Sequence, residues 1–260
     1  MNNVVNPLYD REFLLLGPKR NSVLELWEVQ RYGSDSYGDP DYVSIYGLRP
    51  VDWYARGIRI LGRTAVECTR DDLAVAIGRD VAMIAETAPA VGSMVVDPFA
   101  GSGNTLYWVL RHLPEAQGLG LESDRAVFEL TSQNLLSLKL PVEVLHSDYA
   151  TGLDRMRVPA GCLLVAFIAP PWGSALSPIG LDLRRTTPPI AQIVELLTRK
   201  FGRTPLLCAI QVHEKVDPDS LAEASRHFEW SALRIYDFNA RGQNHGILLG
   251  AKGWTPEATG

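Results

Sequence analysis

Residues 94–105 read Met-Val-Val-Asp-Pro-Phe-Ala-Gly-Ser-Gly-Asn-Thr, and this stretch decides the fold. Its two adjacent valines are β-branched and typical of a buried parallel strand, which ends at Asp97. The two glycines let the backbone turn sharply and approach a ligand closely, and Asn104 or Thr105 can cap the helix that follows. The stretch therefore predicts a strand, a ligand-binding turn and a helix.

The acid at the end of this strand favours one kind of ligand over another. Leu106 stands where dinucleotide-binding turns have their third glycine. The Asp97 carboxylate would repel a pyrophosphate on the helix N-terminus, but it suits a cationic amino group or the water bound to one. S-adenosylmethionine (SAM) carries such a group together with a ribose and an adenine, so the sequence favours SAM as the cofactor.

Two more predicted strands end in an acid. Glu122 closes a strand at 117–122, and its carboxylate can accept both hydroxyls of a ribose. Asp148 closes a third strand at 142–148 and can accept from an adenine amine. One acid at each of three successive strand ends is a stronger signal for SAM than any of them alone. The predicted cofactor-binding residues are Asp97, Pro98, Gly101, Gly103, Asn104, Glu122, Ser123 and Asp148.

Strands and helices alternate along the rest of the chain, which predicts an α/β sheet with helices on both faces. The last two strands are expected to be antiparallel to each other. Helices are predicted at 71–86, 124–138, 187–200 and 217–226, and strands at 161–168, 206–212, 230–236 and 246–251. We divide the chain into an N-terminal cap, 1–69, and a SAM-binding domain, 70–260.

With these elements, roughly residues 70–250 resemble the class I SAM-dependent methyltransferases. That resemblance implies a Rossmann-like, seven-stranded, mostly parallel sheet. The loop Ala169-Pro170-Pro171-Trp172-Gly173 after the fourth strand resembles the Pro-Pro-Trp-Gly loop of the trimethylguanosine synthase family, as do Asn104-Thr105 and the stretch Asp-Leu-Arg-Arg-Thr-Thr-Pro at 182–188. In that family the loop tryptophan stacks on a methylated guanine, and the methyl acceptor is an exocyclic amine.

The same loop supplies the predicted catalytic residues Ala169, Pro170, Pro171 and Trp172. The two prolines stiffen the loop and have no N–H, so nearby carbonyl groups can accept from a substrate amine. Ala169 stands where many amine methyltransferases have Asp, Asn or Ser, so an amine here relies on backbone oxygens or on another residue. Trp172 is the predicted plate for a planar substrate, with stacking worth roughly 1–3 kcal/mol per base.

The N-terminal cap is harder to interpret. Apolar residues at 12–16 and 23–29, with a turn at 17–21 between them, predict a β-hairpin; 31–41 is predicted to be a loop and 42–46 a short strand. Arginines interleave with Trp53 and Tyr54 over 48–63, and we include both aromatic residues as substrate-binding candidates. The alternative is a solvated face with its aromatic residues in the core.

Composition narrows the function. The chain has 260 residues, a net charge of −5 and three widely spaced cysteines, which favours a cytoplasmic protein without a disulfide framework. No run approaches the roughly 20 apolar residues of a membrane span. Because nucleic-acid-binding proteins usually carry a basic surface, the acidic balance favours a small-molecule substrate over RNA.

The histidines show no metal-ligand spacing, so no metal is predicted and core or surface roles are expected for them. Two polar segments are pocket candidates: His213-Glu214 at a strand end, and the loop 239–245, which either closes the site or is an exposed hairpin loop.

The sequence therefore predicts a SAM-dependent methyltransferase that N-methylates a small planar or amine-bearing molecule. The alternatives are an RNA or cap-like guanine N2-methyltransferase, and a SAM-using enzyme on the same fold that transfers no methyl group, because fold alone does not fix chemistry.

Overall fold

Seven strands form the central sheet of the computed structural model, which describes residues 8–238 and 244–257. The strands are β1 (Gly92–Asp97), β2 (Gln117–Glu122), β3 (Val142–His146), β4 (Cys162–Ile168), β7 (Leu206–His213), β8 (Trp230–Tyr236) and β9 (His245–Lys252), and a separate two-stranded sheet contains β5 (Leu176–Ser177) and β6 (Gly180–Leu181).

The helices alternate with these strands after an all-helical start. They are α1 (Arg11–Leu15), α2 (Leu26–Tyr37), α3 (Pro50–Ala55), α4 (Gly62–Glu67), α5 (Asp71–Ala85), α6 (Asn104–His112), α7 (Arg125–Ser137), α8 (Tyr149–Arg155), α9 (Ile190–Phe201) and α10 (Pro218–Ser225). Among the described residues, no helix has the length and apolar character that crossing a bilayer requires.

The sheet has the order β3-β2-β1-β4-β7-β9-β8, and β9 is antiparallel to both of its neighbours. The predicted Rossmann-like, mostly parallel sheet is therefore confirmed, including the antiparallel last pair. Because β1 to β4 and β7 are parallel, their carboxyl ends lie along one edge of the sheet. The antiparallel β9 begins at that same edge, where His245 pairs with His213 of β7.

Both faces of the sheet are covered, as the apolar strands require. The adjacent residues Val95 and Val96 of β1 are both fully buried, and they belong to hydrophobic clusters on opposite faces. Apolar residues of α5 and α6 form one cluster, and those of α8, α9 and α10 form the other. The sheet is thus fixed between two helical layers, and its carboxyl edge is the part free to bind a ligand.

The predicted β-hairpin in the N-terminal cap is wrong. The chain forms α1, whose N-cap Asp10 accepts from the Phe13 N–H, and α2, which runs through most of the predicted loop at 31–41. Glu25 and Glu28 make a reciprocal capping box that starts α2. Because Glu is an unusual N-cap residue, this start signal was not recognised in the sequence.

The predicted short strand at 42–46 is also wrong. Tyr46 and Gly47 have positive φ angles of 58° and 74°, and they reverse the chain between Ile45 and Leu48, which form an isolated bridge. Arg70 is the N-cap residue of α5, and the Asp71 carboxylate accepts from the Gly47 N–H and the Trp108 indole N–H.

The cap packs around its own core and binds to the start of α6. Its fully buried residues include Tyr32, Ile45 and Trp53. Asn104 joins the two parts: its Oδ1 accepts from the Tyr46 N–H at 2.7 Å, and its Nδ2 donates to the Thr69 carbonyl at 2.7 Å. The cap is therefore attached to the turn that follows β1, at the carboxyl edge of the sheet.

Candidate active site

Asp97 at the end of β1 is the most buried acid of the site. Its side chain is 1% exposed, and Oδ1 accepts from the Phe99 N–H at 3.0 Å. Burial, with a smaller contribution from the nearby Glu122, raises the pKa of this carboxyl to about 7 against the lowering effect of the Phe99 N–H. No cation of the described residues is among the groups that act on this pKa. A buried carboxylate in these surroundings is suited to a positively charged ligand group.

Glu122 at the end of β2 lies beside the glycine turn. Its two oxygens accept from the backbone N–H of Gly101 at 3.0 Å and of Asp124 at 2.7 Å. Burial raises the pKa of Glu122, whereas these two hydrogen bonds and the Arg63 charge lower it. The carboxylate is thus held in place from the backbone, as a group that binds a pair of hydroxyls would need to be.

The two glycines of the turn have different roles. Both have positive φ angles, 52° at Gly101 and 71° at Gly103. A Cβ at Gly101 would meet nothing closer than the Phe99 carbonyl oxygen at 3.8 Å, so this position is open to a ligand. A Cβ at Gly103 would lie 2.9 Å from Leu135, so Gly103 is needed for packing against α7 and for the N-cap of α6.

Asn104 and Pro98 were predicted to bind the cofactor, and their surroundings differ from that expectation. Asn104 does not supply the N-cap of α6, and its amide is bonded to Tyr46 and Thr69 of the N-terminal cap and to Asp71 of α5. Pro98 is buried beneath the turn. These two residues shape the turn from behind.

Ser123 and Asp148 lie on the exposed rim of the site. The Ser123 carbonyl contacts the His146 ring at 3.1 Å, and that ring stacks on Phe128 with centroids 5.4 Å apart. Asp148 caps α8 by accepting from the Thr151 N–H at 2.9 Å, which lowers its pKa. The rim therefore offers an acid that is already bonded to its own helix.

The loop after β4 places Trp172 next to two histidines. The Trp172 ring is half-buried, with its centroid 5.2 Å from that of His245 and 6.3 Å from that of His213. Pro170 is buried and Pro171 exposed. Trp172 also packs against the hydrophobic cluster below it, so one side of the ring is fixed by the core.

The histidine pair was only partly foreseen from the sequence, which gave His213 as a pocket alternative and His245 as part of a polar loop. His245 instead begins β9, and residues 239–243 of that predicted loop lie outside the described residues. Burial, together with the nearby His213 and Arg70, lowers the pKa of His245 to about 4. The only indication in the sequence that these histidines belong to the site was their location, since both stand at the ends of strands.

Two residues that were predicted to bind substrate lie away from this loop. Trp53 is fully buried in the cap core, where its indole N–H donates to the Val43 carbonyl at 3.0 Å. Tyr54 hydrogen bonds to Glu25, and its ring lies 3.5 Å from the Arg59 guanidinium carbon. The prediction of a substrate contact is therefore wrong for Trp53, and the contacts that the structure gives Tyr54 lie within the cap.

Another part of the cap does reach the site. Arg63 of α4 forms an ion pair at 2.6 Å with Asp124, which is two residues after Glu122. Glu67, at the end of α4, is exposed to solvent, but surrounding protein raises its pKa, with Glu122 among the causes. Because Glu122 acts on its pKa, Glu67 is a further acid of the cap that lies close to the acids of the sheet edge.

Among residues 8–238 and 244–257, no group of three or more His, Cys, Asp or Glu side chains is arranged to hold a metal ion. The groups that this edge presents are carboxylates, aromatic rings, imidazoles and backbone groups.

Comparisons with known proteins establish the fold. The sequence matches no protein-family model and no curated protein. Among solved structures it is similar to the METTL16 methyltransferase domain, with a TM-score of 0.53 and 13% identity over 72% of this chain and 70% of that one. Other matches are a precorrin-6y C5,15-methyltransferase from Geobacter metallireducens (TM-score 0.46, 12% identity, 72% and 91% covered) and an rRNA methylase from Streptococcus thermophilus (0.41, 15%, 68% and 96%).

These identities are too low to transfer a reaction, so the likeness to the METTL16 domain is used for the fold alone. Together with the strand order and the strand-end acids, it identifies this chain as a Rossmann-like protein of the class I methyltransferase fold, with a helical N-terminal cap over the carboxyl edge of its sheet.

Proposed function

We propose that this protein is a SAM-dependent methyltransferase. The observation that carries the proposal is the buried Asp97 carboxyl, which has no cationic partner among the described residues and lies one strand away from Glu122. A ligand with an ammonium group and a ribose would neutralise the first acid and hydrogen bond to the second.

The residues of the edge fit such a cofactor in order along the sheet. Asp97 would bind the amino group, the open backbone at Gly101 would allow close approach, and Glu122 would accept from the ribose hydroxyls. The exposed Asp148 and the stacked pair of Phe128 and His146 are near the end of β3, where the adenine is expected. When bound, SAM would supply the activated methyl group.

The protein's own contribution to methyl transfer is alignment of the acceptor. Positioning can supply roughly 7–11 kcal/mol in the best cases. Pro170 and Pro171 stiffen the loop at the end of β4, and Trp172 offers a half-buried ring against which a planar acceptor can stack. An amine on that acceptor would donate to the backbone carbonyls of Ile168 or Ala169 while its lone pair faces the methyl group.

We propose a small planar or amine-bearing molecule as the acceptor. Besides the net charge of −5, the pairing of basic side chains supports this. Several arginines are bound to acids of the protein itself, which leaves less positive charge for a phosphate backbone. These pairs are Arg63–Asp124, Arg70–Asp72, Arg184–Asp182 and Arg184–Asp217.

RNA guanine N2-methylation is the second candidate. The resemblance of residues 170–173 to the Pro-Pro-Trp-Gly loop of the trimethylguanosine synthase family favours it. RNA binding that weakens steeply with salt would support this candidate, since phosphate contacts release counterions. Binding that is absent even at low salt would exclude it.

The test is calorimetry with SAM, followed by transfer from SAM that is labelled in its methyl group. We expect binding, and label in a small-molecule fraction of a cell extract rather than in the RNA fraction. A protein that binds no SAM would refute the cofactor assignment. Binding without label in either fraction would favour a SAM-using enzyme that transfers no methyl group.

Trp172→Ala provides the matched control for the acceptor site. It should leave SAM affinity unchanged and abolish most label transfer, because the acceptor loses its stacking surface. Trp172→Phe should retain part of the transfer. An unchanged rate in Trp172→Ala would show that this ring belongs to the core.

A further inference from the structure

A chain of three polar side chains runs from the cap to the substrate side of the edge. The Thr69 hydroxyl donates to Gln211 Oε1 at 3.3 Å, and Gln211 Nε2 lies 3.5 Å from Nδ1 of His245. Gln211 is on β7 and is buried, and His245 is the first residue of the neighbouring β9. The chain ends beside Trp172, whose ring centroid is 5.2 Å from that of His245.

This series of hydrogen-bonded side chains fixes which nitrogen of the His245 imidazole carries the hydrogen. With the Thr69 hydroxyl donating to Oε1, the Gln211 amide nitrogen faces Nδ1 of His245 and donates to it, so Nδ1 accepts and a neutral ring carries its hydrogen on Nε2. The ring is neutral at physiological pH because burial lowers the His245 pKa to about 4. The two ring nitrogens lie on opposite sides of the imidazole, so the Nε2–H points away from Gln211.

We propose that the His245 Nε2–H is a hydrogen-bond donor that recognises the substrate. It selects planar substrates with a hydrogen-bond acceptor, either a carbonyl oxygen or a ring nitrogen, at the edge that faces β9. Thr69 and Gln211 are positioning residues that act through His245. This proposal rests on the function proposed above and specifies its substrate class. It also compensates for Ala169, because recognition at the loop then comes from the neighbouring strand instead of from that side chain.

The groups around His245 are consistent with a donor-lined wall. His213, Arg70, Arg11 and Glu214 all act on its pKa, and only Glu214 raises it. Nδ1 of His213 likewise accepts, from the Lys215 N–H at 3.0 Å. A substrate with an N–H at this edge would leave two donors facing each other, and an unsatisfied buried donor weakens binding by roughly 5- to 150-fold.

The first test compares two bicyclic probes of similar shape, in protein saturated with S-adenosylhomocysteine. Quinoline offers a ring nitrogen that accepts, whereas indole offers a ring N–H that donates. Ligand-detected NMR should show quinoline binding roughly tenfold tighter than indole. Both probes should bind Trp172→Ala more weakly than the wild-type protein. Equal affinity for the two probes, or binding of neither, would overturn the proposal.

Gln211→Glu is the inverting variant. A carboxylate accepts from Nδ1–H, so the imidazole hydrogen should move to Nδ1 and Nε2 should become an acceptor. At a pH well above the His245 pKa measured in the same titration, the probe preference should reverse in favour of indole. Nitrogen-15 NMR of labelled histidine reads the tautomer directly, and a wild-type ring with its hydrogen on Nδ1 would overturn the proposal without any ligand.

Two further variants guard against a merely structural effect. Thr69→Val releases Gln211 Oε1, so the amide can reverse and the tautomers should mix, with the probe preference falling towards equality. His245→Phe retains a ring against Trp172 but has no donor, so both probes should bind with similar affinity. A tenfold preference for quinoline that survives in His245→Phe would overturn the proposal.

The failure of this inference and the failure of the proposed function are separable. If S-adenosylhomocysteine does not bind, the methyltransferase assignment fails, whatever the His245 tautomer. If it binds, and the tautomer or the probe preference differs from the expectation above, only the recognition proposal fails.

Discussion

Asp97, the inner acid of the carboxyl edge, ends β1, and Asp148, the outer acid, follows β3 on the far side of β2, but their surroundings differ. Asp97 is buried, and its pKa is raised to about 7, whereas Asp148 is exposed and has its pKa lowered as the N-cap of α8. Burial makes the inner charge costly until a cation arrives, and the helix satisfies the outer one beforehand. Equivalent positions in a sequence pattern can therefore contribute very unequally to ligand binding.

The largest effect should come from neutralising the inner acid. Asp97→Asn removes a charged hydrogen-bond partner, worth roughly 1.5–3 kcal/mol, so SAM affinity should fall about 100-fold in calorimetry. The variant should also be more stable near neutral pH by up to ~4 kcal/mol, because a carboxyl whose folded pKa is raised destabilises the fold once it ionises. Urea unfolding measures this gain.

Asp148→Asn is the matched control for that variant, since it makes the same chemical change at the outer position. The comparison fails if the two variants lose similar SAM affinity, or if Asp97→Asn retains wild-type affinity.

The next effect concerns the second inner acid. Glu122→Gln should weaken SAM binding about tenfold, because an amide offers one accepting oxygen where the carboxylate offers two. Removing the ribose 2′-hydroxyl from SAM should weaken binding to the wild-type protein, and it should weaken binding to this variant by a smaller factor. If the two losses simply add, Glu122 does not contact that hydroxyl.

A smaller effect is expected from pH. The Asp97 carboxyl binds an ammonium only when ionised, so SAM affinity should be retained above pH 7 and fall about fivefold between pH 7 and pH 6. Binding near neutral pH should release protons, which appears as a dependence of the calorimetric heat on the buffer. Asp97→Asn should abolish both effects, and a wild-type profile without slope would contradict the raised pKa.

The smallest change in affinity belongs to the outer acid. Asp148→Ala should alter SAM affinity by no more than about twofold, because this carboxylate is exposed and screened by water. It should still destabilise the protein by ~1 kcal/mol through loss of the α8 N-cap. A tenfold loss of affinity would place Asp148 among the inner acids in function and remove the distinction between the two.

The central fold was predictable because its signals are local. The adjacent valines at 95 and 96, the acid that follows them and the glycine turn specify their own strand, edge and bend. The start of α2 was not predictable, because its capping box is made by Glu25 and Glu28 in a stretch whose apolar residues also suit a hairpin. Local patterns decide an element only where one period is clearly dominant.

The substrate side was less predictable for a different reason. Gln211 is 142 residues from Thr69 and 34 from His245, so their contacts depend on the sheet order. Similarly, the sequence left open whether the aromatic residues among the arginines face substrate or core, and packing buries Trp53 in the cap. Sequence spacing indicates which residues end a strand but not which distant strand will lie beside it.

The pairing of β9 with β7 has a mechanical consequence. His245 is at one end of an eight-residue ladder, His245–Lys252, whose interior residues are buried. A one-residue slip would turn the imidazole to the opposite face and move the buried residues of β9 between the hydrophobic clusters on the two faces of the sheet. The imidazole is therefore held by the sheet as a rigid reference point beside Trp172.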